Sequence, residues 1–374
     1  MQKFFLVLAT LAAAAALPAC GQAKDNSQPP ATPPSEVQIP RKPVTRVKPP
    51  PPDQPVTHPE APPGDYAADG ELRMNEVQLK GSHNSYHLAS DAPNAPAWTQ
   101  YSMPPLTDQL NNNGVRQFEL DVHYYAGRFL VFHLPDLDER STCPEFTNCL
   151  RALLNWSNAH PYHQPIYVWL ELKDEWDPIK IAPHIEELEA AVRAGIPRDK
   201  LVTPDDVRRD QATVWQGLQT YGWPTLGKAR GKFVFVIMNE GDGRYAYTYN
   251  GTTLDGRAMF VTEQNGTYGV VAMIDDVLNQ SDAIYAAASA GYLVRSRVDD
   301  LPGQGGSYAE RRDLALQVGA HMLATDYPVD DTIPGYAVEI PGGTPSRCNP
   351  VTARTAVCTS SLLIEDPAHL EAPK

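Results

Sequence analysis

The chain has 374 residues, 36 of them proline, with five cysteines and a formal net charge of −14 at pH 7. Fourteen of the prolines lie between Pro29 and Pro63, and the first 63 residues are net positive by two, so the 311 residues from Gly64 onward carry −16. That sign excludes a protein that reads nucleic-acid backbone through a basic patch, while 42 % hydrophobic and 20 % charged residues describe a globular chain able to bury one large core or two medium ones.

Met1 to Ala19 reads as a secretory signal. Lys3 supplies the positive start, and Phe4 to Leu17 is an alanine-rich apolar stretch, shorter than the ~20 residues that cross a bilayer. The run Leu17-Pro18-Ala19-Cys20-Gly21 resembles a bacterial lipoprotein box, in which the chain is cut before Cys20 and the thiol is lipidated; plain cleavage after a small residue is the alternative. Setting Cys20 aside leaves Cys143, Cys149, Cys348 and Cys358. An even number in an exported chain suggests two disulfides, and the short separations favour Cys143 with Cys149 and Cys348 with Cys358. Lys24 to Pro63 contains Lys48-Pro-Pro-Pro-Pro-Asp53 and few large apolar residues, too few to offset the entropy of ordering it. It reads as a semi-rigid spacer. The expected organisation is a signal over 1–19, a lipid-anchored proline-rich linker over 20–63 and one folded domain over 64–374.

From Asn75 onward, short apolar runs alternate with helical stretches, the pattern of parallel strands joined by helices. Strands are expected near Val77 to Lys80, Val115 to Val122, Ile166 to Leu172, Lys200 to Val202, Phe233 to Met238, Met259 to Val261, Tyr292 to Ser296 and His321 to Ala324. Helices are expected over Phe146 to His160, Ile179 to Ala194, Thr213 to Thr220, Ser281 to Ala290 and Tyr308 to Val318, with Pro178 and Pro183 suited to a helix start. Eight strands on this length suit an α/β fold of the (β/α)8 barrel type, with an open doubly wound sheet as rival. Arg128 to Phe132 and the cysteine-bounded tail after Pro328 read as additions. The glycine-rich stretches Gly241 to Gly256 and Gly303 to Gly306 lack the context of a phosphate loop and read as plain loops.

The chemistry-bearing residues sit at strand ends. Gly81-Ser82-His83-Asn84-Ser85-Tyr86 follows the first strand, which puts His83 and Asn84 at the C-terminal mouth where barrel active sites are built. On the second strand Glu119, Asp121 and His123 share one face by two-residue alternation. A buried carboxylate costs several kcal/mol unless paired or metal-bound, so two on one face suggest a cation. His133 ends Phe129-Leu-Val-Phe-His, and Glu171 and Lys173 alternate with apolar residues at the end of the third strand.

His83-Asn84, Glu119-x-Asp121, His133 and Glu171, separated by 36, 12 and 38 residues, resemble the catalytic half of the calcium-dependent phosphoinositide-specific phospholipases C, the bacterial secreted branch in particular. Trp223-Pro-Thr-Leu-Gly, Arg230-Gly-Lys-Phe-Val-Phe-Val and Ala324-Thr-Asp-Tyr-Pro328 agree, so the resemblance covers about Asn75 to Pro328. It implies a TIM-like barrel. It also implies catalytic roles for His83, beside the attacked phosphate, and for His133, as general acid toward the leaving alcohol. Asn84, Glu119, Asp121 and Glu171 match calcium ligands, and three carboxylates plus an amide suit Ca2+. The implied reaction is attack of the inositol 2-hydroxyl on phosphorus, release of diacylglycerol and formation of a cyclic inositol phosphate, with Glu119 or Glu171 as base. Lys173, Arg295, Arg297 and Tyr327 are candidate substrate contacts.

Two other readings compete. A glycerophosphodiester phosphodiesterase would share the early histidine, the Glu-x-Asp pair and the Glu171-Leu-Lys173 strand, but that family places His-Arg where this chain has His83-Asn84. A calcium-binding lipoprotein that recognises head groups without turnover would not need both histidines. The expected partner is a phospholipid or other phosphodiester at a membrane surface, acted on by a monomer exported to the cell envelope or secreted.

Overall fold

The computed structural model describes residues 66–174, 179–299, 307–329, 336–341 and 345–370. The secretory segment, Cys20, the spacer, Pro178 and Gly303 to Gly306 lie outside the described residues.

Among the described residues ten strands form, β1 (Val77–Ser82), β2 (Val115–Tyr125), β3 (Arg128–Val131), β4 (Ile166–Leu172), β5 (Phe233–Ile237), β6 (Met259–Val261), β7 (Val271–Met273), β8 (Leu293–Arg297), β9 (Met322–Thr325) and β10 (Ser346–Cys348). Eight of them run parallel in the order β6-β5-β4-β2-β1-β9-β8-β7. The two ends of this path approach each other at a parallel bridge between Thr262 and Val271, so the sheet curls into a nearly closed barrel. The doubly wound alternative is thereby excluded. Strands such as Phe233-Val-Phe-Val-Ile237 are buried at every position, which is why they read as unbroken apolar runs.

Within the barrel, one expected strand is wrong and one forms that was not expected. Lys200 to Val202 is not a strand: Arg198–Lys200 is a 3-10 turn after Pro197, and Leu201 makes a single bridge to Phe233. The barrel takes its remaining wall from Val271–Met273, reached from β6 by a loop without a helix. The expected helix from Ile179 is split, a 3-10 turn over Ala182–His184 with Pro183 at its start leading into the helix Ile185–Gly195. The helix expected from Ser281 begins earlier, at Val277, where Asp276 caps the amide of Asn279 at 3.3 Å. Within the Gly241 to Gly256 stretch, Asp242–Tyr247 is helical rather than loop.

The additions fall where expected. β2 turns back into β3 through Ala126 and Gly127, both at positive φ, the signature of a two-residue hairpin turn. β3 therefore runs antiparallel along β2 and returns the chain toward His133. At the other end of the barrel β10 pairs antiparallel with the start of β1, and both disulfides, Cys143–Cys149 and Cys348–Cys358, are formed.

Candidate active site

β1 and β2 approach closely at Gly81, where a Cβ would meet the Gln117 side chain at 2.0 Å. Beyond it the chain turns sharply, with Asn84 at φ 44°, a region Asn enters more readily than most residues. The turn is locked from below. Ser82 Oγ donates to Gln109 Oε1 at 2.7 Å, Gln109 Nε2 donates to the Ser85 carbonyl at 2.7 Å, and Ser85 Oγ accepts the Glu119 amide at 2.8 Å. These buried polar contacts fix His83 and Asn84 relative to β2.

His83 donates from Nδ1 to Asp326 Oδ1 at 2.5 Å, and its Nε2 stands 3.4 Å from Glu119 Oε1. Burial and the Arg297 charge disfavour the imidazolium, but Asp326 and Glu119 outweigh them and the ring's pKa lies above its ordinary value. Asp326 Oδ2 accepts from Arg297 at 2.5 Å. Burial opposes its ionisation, yet His83 and Arg297 hold its carboxyl well below the usual range.

Asp121 and Glu171 are direct neighbours across β2 and β4, and oxygens of Glu119, Asp121 and Glu171 lie within 4.8 Å of one another. Lys173 Nζ is 3.1 Å from both Asp121 Oδ2 and Glu171 Oε1, and Arg295 pairs with Glu119 and, at 3.0 Å, with Asp275. Even so, Glu119 Oε1 and both Asp121 oxygens are buried without a well-aligned hydrogen bond. Burial first, then the Glu171 charge, push the Asp121 carboxyl well above its usual range despite Lys173. Unsatisfied, converging carboxylate oxygens are the donor set a hard divalent cation takes. Asn84 Nδ2 donates to the Tyr101 hydroxyl at 3.2 Å, and its Oδ1 lies 3.5 Å from the Tyr86 hydroxyl; Tyr86 is in turn pushed well up by burial and by Asp121. The three carboxylates converge as calcium ligands would, and Asn84 matches in type an amide-oxygen ligand beside Tyr86.

His133 donates from Nδ1 to Asp138 Oδ2 at 2.9 Å, which leaves Nε2 free for chemistry. The same carboxylate meets His87 Nε2 at 2.8 Å. His123, which shares the carboxylate face of β2, bonds the Phe132 carbonyl at 2.9 Å and stacks on the Phe132 ring, supporting the residue before His133. Of the candidate substrate contacts, Lys173 and Arg297 border the cluster, Arg295 is buried between Glu119 and Asp275, and Tyr327 is buried beside Tyr308 and Tyr336. Asp326, Asp138, His87 and Asp275 were not singled out from the sequence. Asp326 lay within the quoted Ala324-Thr-Asp-Tyr-Pro328 run, and the others are loop residues with no pattern to mark them.

A parallel barrel that collects oxygen donors for a cation at its C-terminal mouth, with imidazoles backed by carboxylates beside them, defines the metal-dependent phosphodiester-cleaving barrels as the class. Within that class, the model of the Ca2+-dependent phosphoinositide phospholipases C matches residues 72–129 and 124–350, and the chain belongs to this family. Enzymes of the family are phosphodiesterases that cleave phosphoinositides with calcium as cofactor. The chain is similar in structure to a Ca2+-dependent phosphatidylinositol-specific phospholipase C from Streptomyces antibioticus, at 20 % identity over 69 % of this chain and 95 % of that one, with a TM-score of 0.53. It is likewise similar to a calcium-dependent phosphoinositol-specific phospholipase C from a Gram-negative Pseudomonas species, at 18 % identity over 75 % and 96 %, with a TM-score of 0.54. These likenesses establish the shared fold. No curated protein matches the sequence.

Proposed function

We propose that this chain cleaves phosphatidylinositol-type lipids to diacylglycerol and a cyclic inositol phosphate. The observation that carries the reading is that His83 and His133 each give Nδ1 to a carboxylate and so keep Nε2 for proton transfer, His83 beside a cluster of underbonded carboxylate oxygens. Asn84, Glu119, Asp121 and Glu171 would hold the calcium, which when bound acidifies the inositol 2-hydroxyl and offsets charge on phosphate. Glu171, partly exposed and only shared with Lys173, is better placed to accept the hydroxyl proton than Glu119, which Arg295 neutralises in the interior. His83 donates toward the phosphate oxygens, Lys173 and Arg297 add positive charge there, and His133 protonates the departing glycerol oxygen. Arg295 acts by holding Glu119, and Tyr327 by forming part of an aromatic wall with Tyr308 and Tyr336.

A lipid surface as the place of action is supported by the rim. Trp98, Tyr125, Ile179, Tyr245 and Met273 are five of the seven exposed large apolar side chains among the described residues, and each follows or ends a barrel strand at the mouth. No described helix is long and apolar enough to cross a membrane. Two disulfides suit an exported chain, and lipidation at Cys20 with the proline-rich linker as tether would place the 64–374 domain near its substrate as a monomer.

The test is turnover of a panel of phosphodiesters with and without calcium, the products identified by phosphorus NMR. Phosphatidylinositol should yield the cyclic phosphate, and chelator should abolish the reaction reversibly. Glycerol phosphate as product would instead establish the glycerophosphodiesterase reading, and calcium-dependent binding without turnover the head-group-binding one.

A further inference from the structure

We propose that His87 is a positioning residue, which through Asp138 governs how His133 delivers its proton. This rests on His133 acting as the general acid.

His87 is buried in the loop after β1. Its Nδ1 is 3.1 Å from the Tyr101 carbonyl oxygen, and its Nε2 is 2.9 and 2.8 Å from the two oxygens of Asp138. A carbonyl only accepts, and so does an ionised carboxylate, whereas a neutral imidazole has a single N–H to donate. A neutral ring would turn a lone pair either on the carbonyl or on the carboxylate. Both contacts are satisfied when both ring nitrogens donate, that is, when His87 is an imidazolium paired with Asp138. The Tyr101 ring stacked on it, centroids 4.0 Å apart and 13° from parallel, offers a π face to that charge. The separations of 2.8–2.9 Å among His87, Asp138 and His133 are those of hydrogen bonds.

Asp138 is thus shared. One partner is the buried His87, the other the catalytic ring, and the Asp138 carbonyl also accepts the His133 and Leu134 amides at 3.1 and 3.0 Å, closing the loop that carries both residues. Burial works against the Asp138 carboxylate, yet the bonds from His133 and His87 hold it below its usual range. A bare carboxylate would orient His133 but would also bind its imidazolium tightly and hold back the proton. A carboxylate already paired with His87 keeps the orientation and relaxes that hold. As the P–O bond breaks, the bonding pair goes to the glycerol oxygen, the proton passes from His133 Nε2 to that oxygen, and His133 is left neutral with Nδ1–H still on Asp138.

The test uses the full chain with calcium and two substrates, phosphatidylinositol vesicles and myo-inositol 1-(4-nitrophenyl phosphate), whose leaving phenol needs little protonation. His133→Ala is the reference and should lose far more rate on the lipid than on the aryl ester. His87→Ala should lower kcat on the lipid about tenfold to a hundredfold with KM within about twofold, and change the aryl ester less than about threefold. His87→Gln, whose amide can donate to Asp138 in place of Nε2, should recover most of the loss. In 15N-histidine-labelled protein, which needs no variant, both His87 ring nitrogens should carry a proton. Equal losses on the two substrates in His87→Ala beside a clear difference in His133→Ala would overturn the role of His87 alone, as would failure of His87→Gln to recover or a His87 ring with one bare nitrogen. No difference between substrates in His133→Ala would remove the general-acid reading itself.

Discussion

Asp326 accepts from two donors with its two oxygens, His83 on one and Arg297 on the other. Replacing it by Asn keeps the size but gives one position a donor where both partners also donate, so either the His83 tautomer or the Arg297 contact is lost. Asp326→Asn should therefore lower kcat by about 10²–10⁴ with little change in KM, checked by steady-state kinetics on vesicles at saturating calcium. Glu119→Gln separates a different property. It weakens the oxygen cluster and leaves the buried Arg295 with Asp275 as its remaining ion-pair partner. The calcium concentration for half-maximal rate should rise, and stability should fall by about 2–4 kcal/mol, read by calcium titration and by chemical denaturation. At this scale the sequence displays the acids of β2 and β4 because charge in an apolar strand violates its pattern. It hides their partners: Asp326 is 243 residues from His83 and Asp138 is 51 from His87, and a loop aspartate of ordinary context carries no mark of what it will meet.

The β2–β3 hairpin brings the second histidine to the mouth, and the loop after β1 brings Trp98 beside it, edge-on at 5.8 Å to the His133 ring and half exposed. An exposed indole touching the histidine proposed above as general acid would join chemistry to surface binding, since indole favours the membrane interface. Trp98→Ala should reduce turnover of vesicle-borne phosphatidylinositol by about tenfold through weaker attachment, while a water-soluble inositol aryl phosphodiester is turned over at nearly the native rate. Equal loss on both would mean that Trp98 acts by packing on His133. Element type was legible where apolar runs were long, as in Ile166–Leu172 and Phe233–Ile237. It failed at two short segments, although the equally short Met259–Val261 forms where expected. Lys200 to Val202 and Val271–Met273 are both three residues long, and only barrel closure, a long-range constraint, makes the second a strand and the first a turn with one bridge.

Across the whole molecule, the end of the barrel opposite the site is sealed by both chain termini of the described domain. Arg116 pairs with Glu365, Arg230 with Asp69 and the Ile364 carbonyl, and Arg354 with Glu76. Beside this seal His321 is buried as the neutral ring, accepting the Val294 amide at Nδ1 (3.1 Å) and donating from Nε2 to the Asn75 carbonyl (2.9 Å), and burial pulls its pKa down to about 4. Near the mouth Asp299 is buried under Asp326, taking its amide at 2.9 Å, and burial with the Asp326 charge pushes its pKa up to about 7. The two run in opposite directions. Between about pH 4 and 6.5 the unfolded chain protonates residue 321 and the native fold does not, so this contribution to stability rises with pH; between about 4 and 7 the native fold keeps a proton on Asp299 that the unfolded chain releases, so that contribution falls. Each amounts to about 2 kcal/mol between pH 5 and 7. These two contributions nearly cancel, and each variant should tilt the native profile: His321→Gln should make the protein more stable at pH 5 relative to pH 7 than the native chain is, and Asp299→Asn less. Urea denaturation at the two pH values, with calcium held constant, reads both slopes, and a tilt in the same direction for both variants would contradict the assignment.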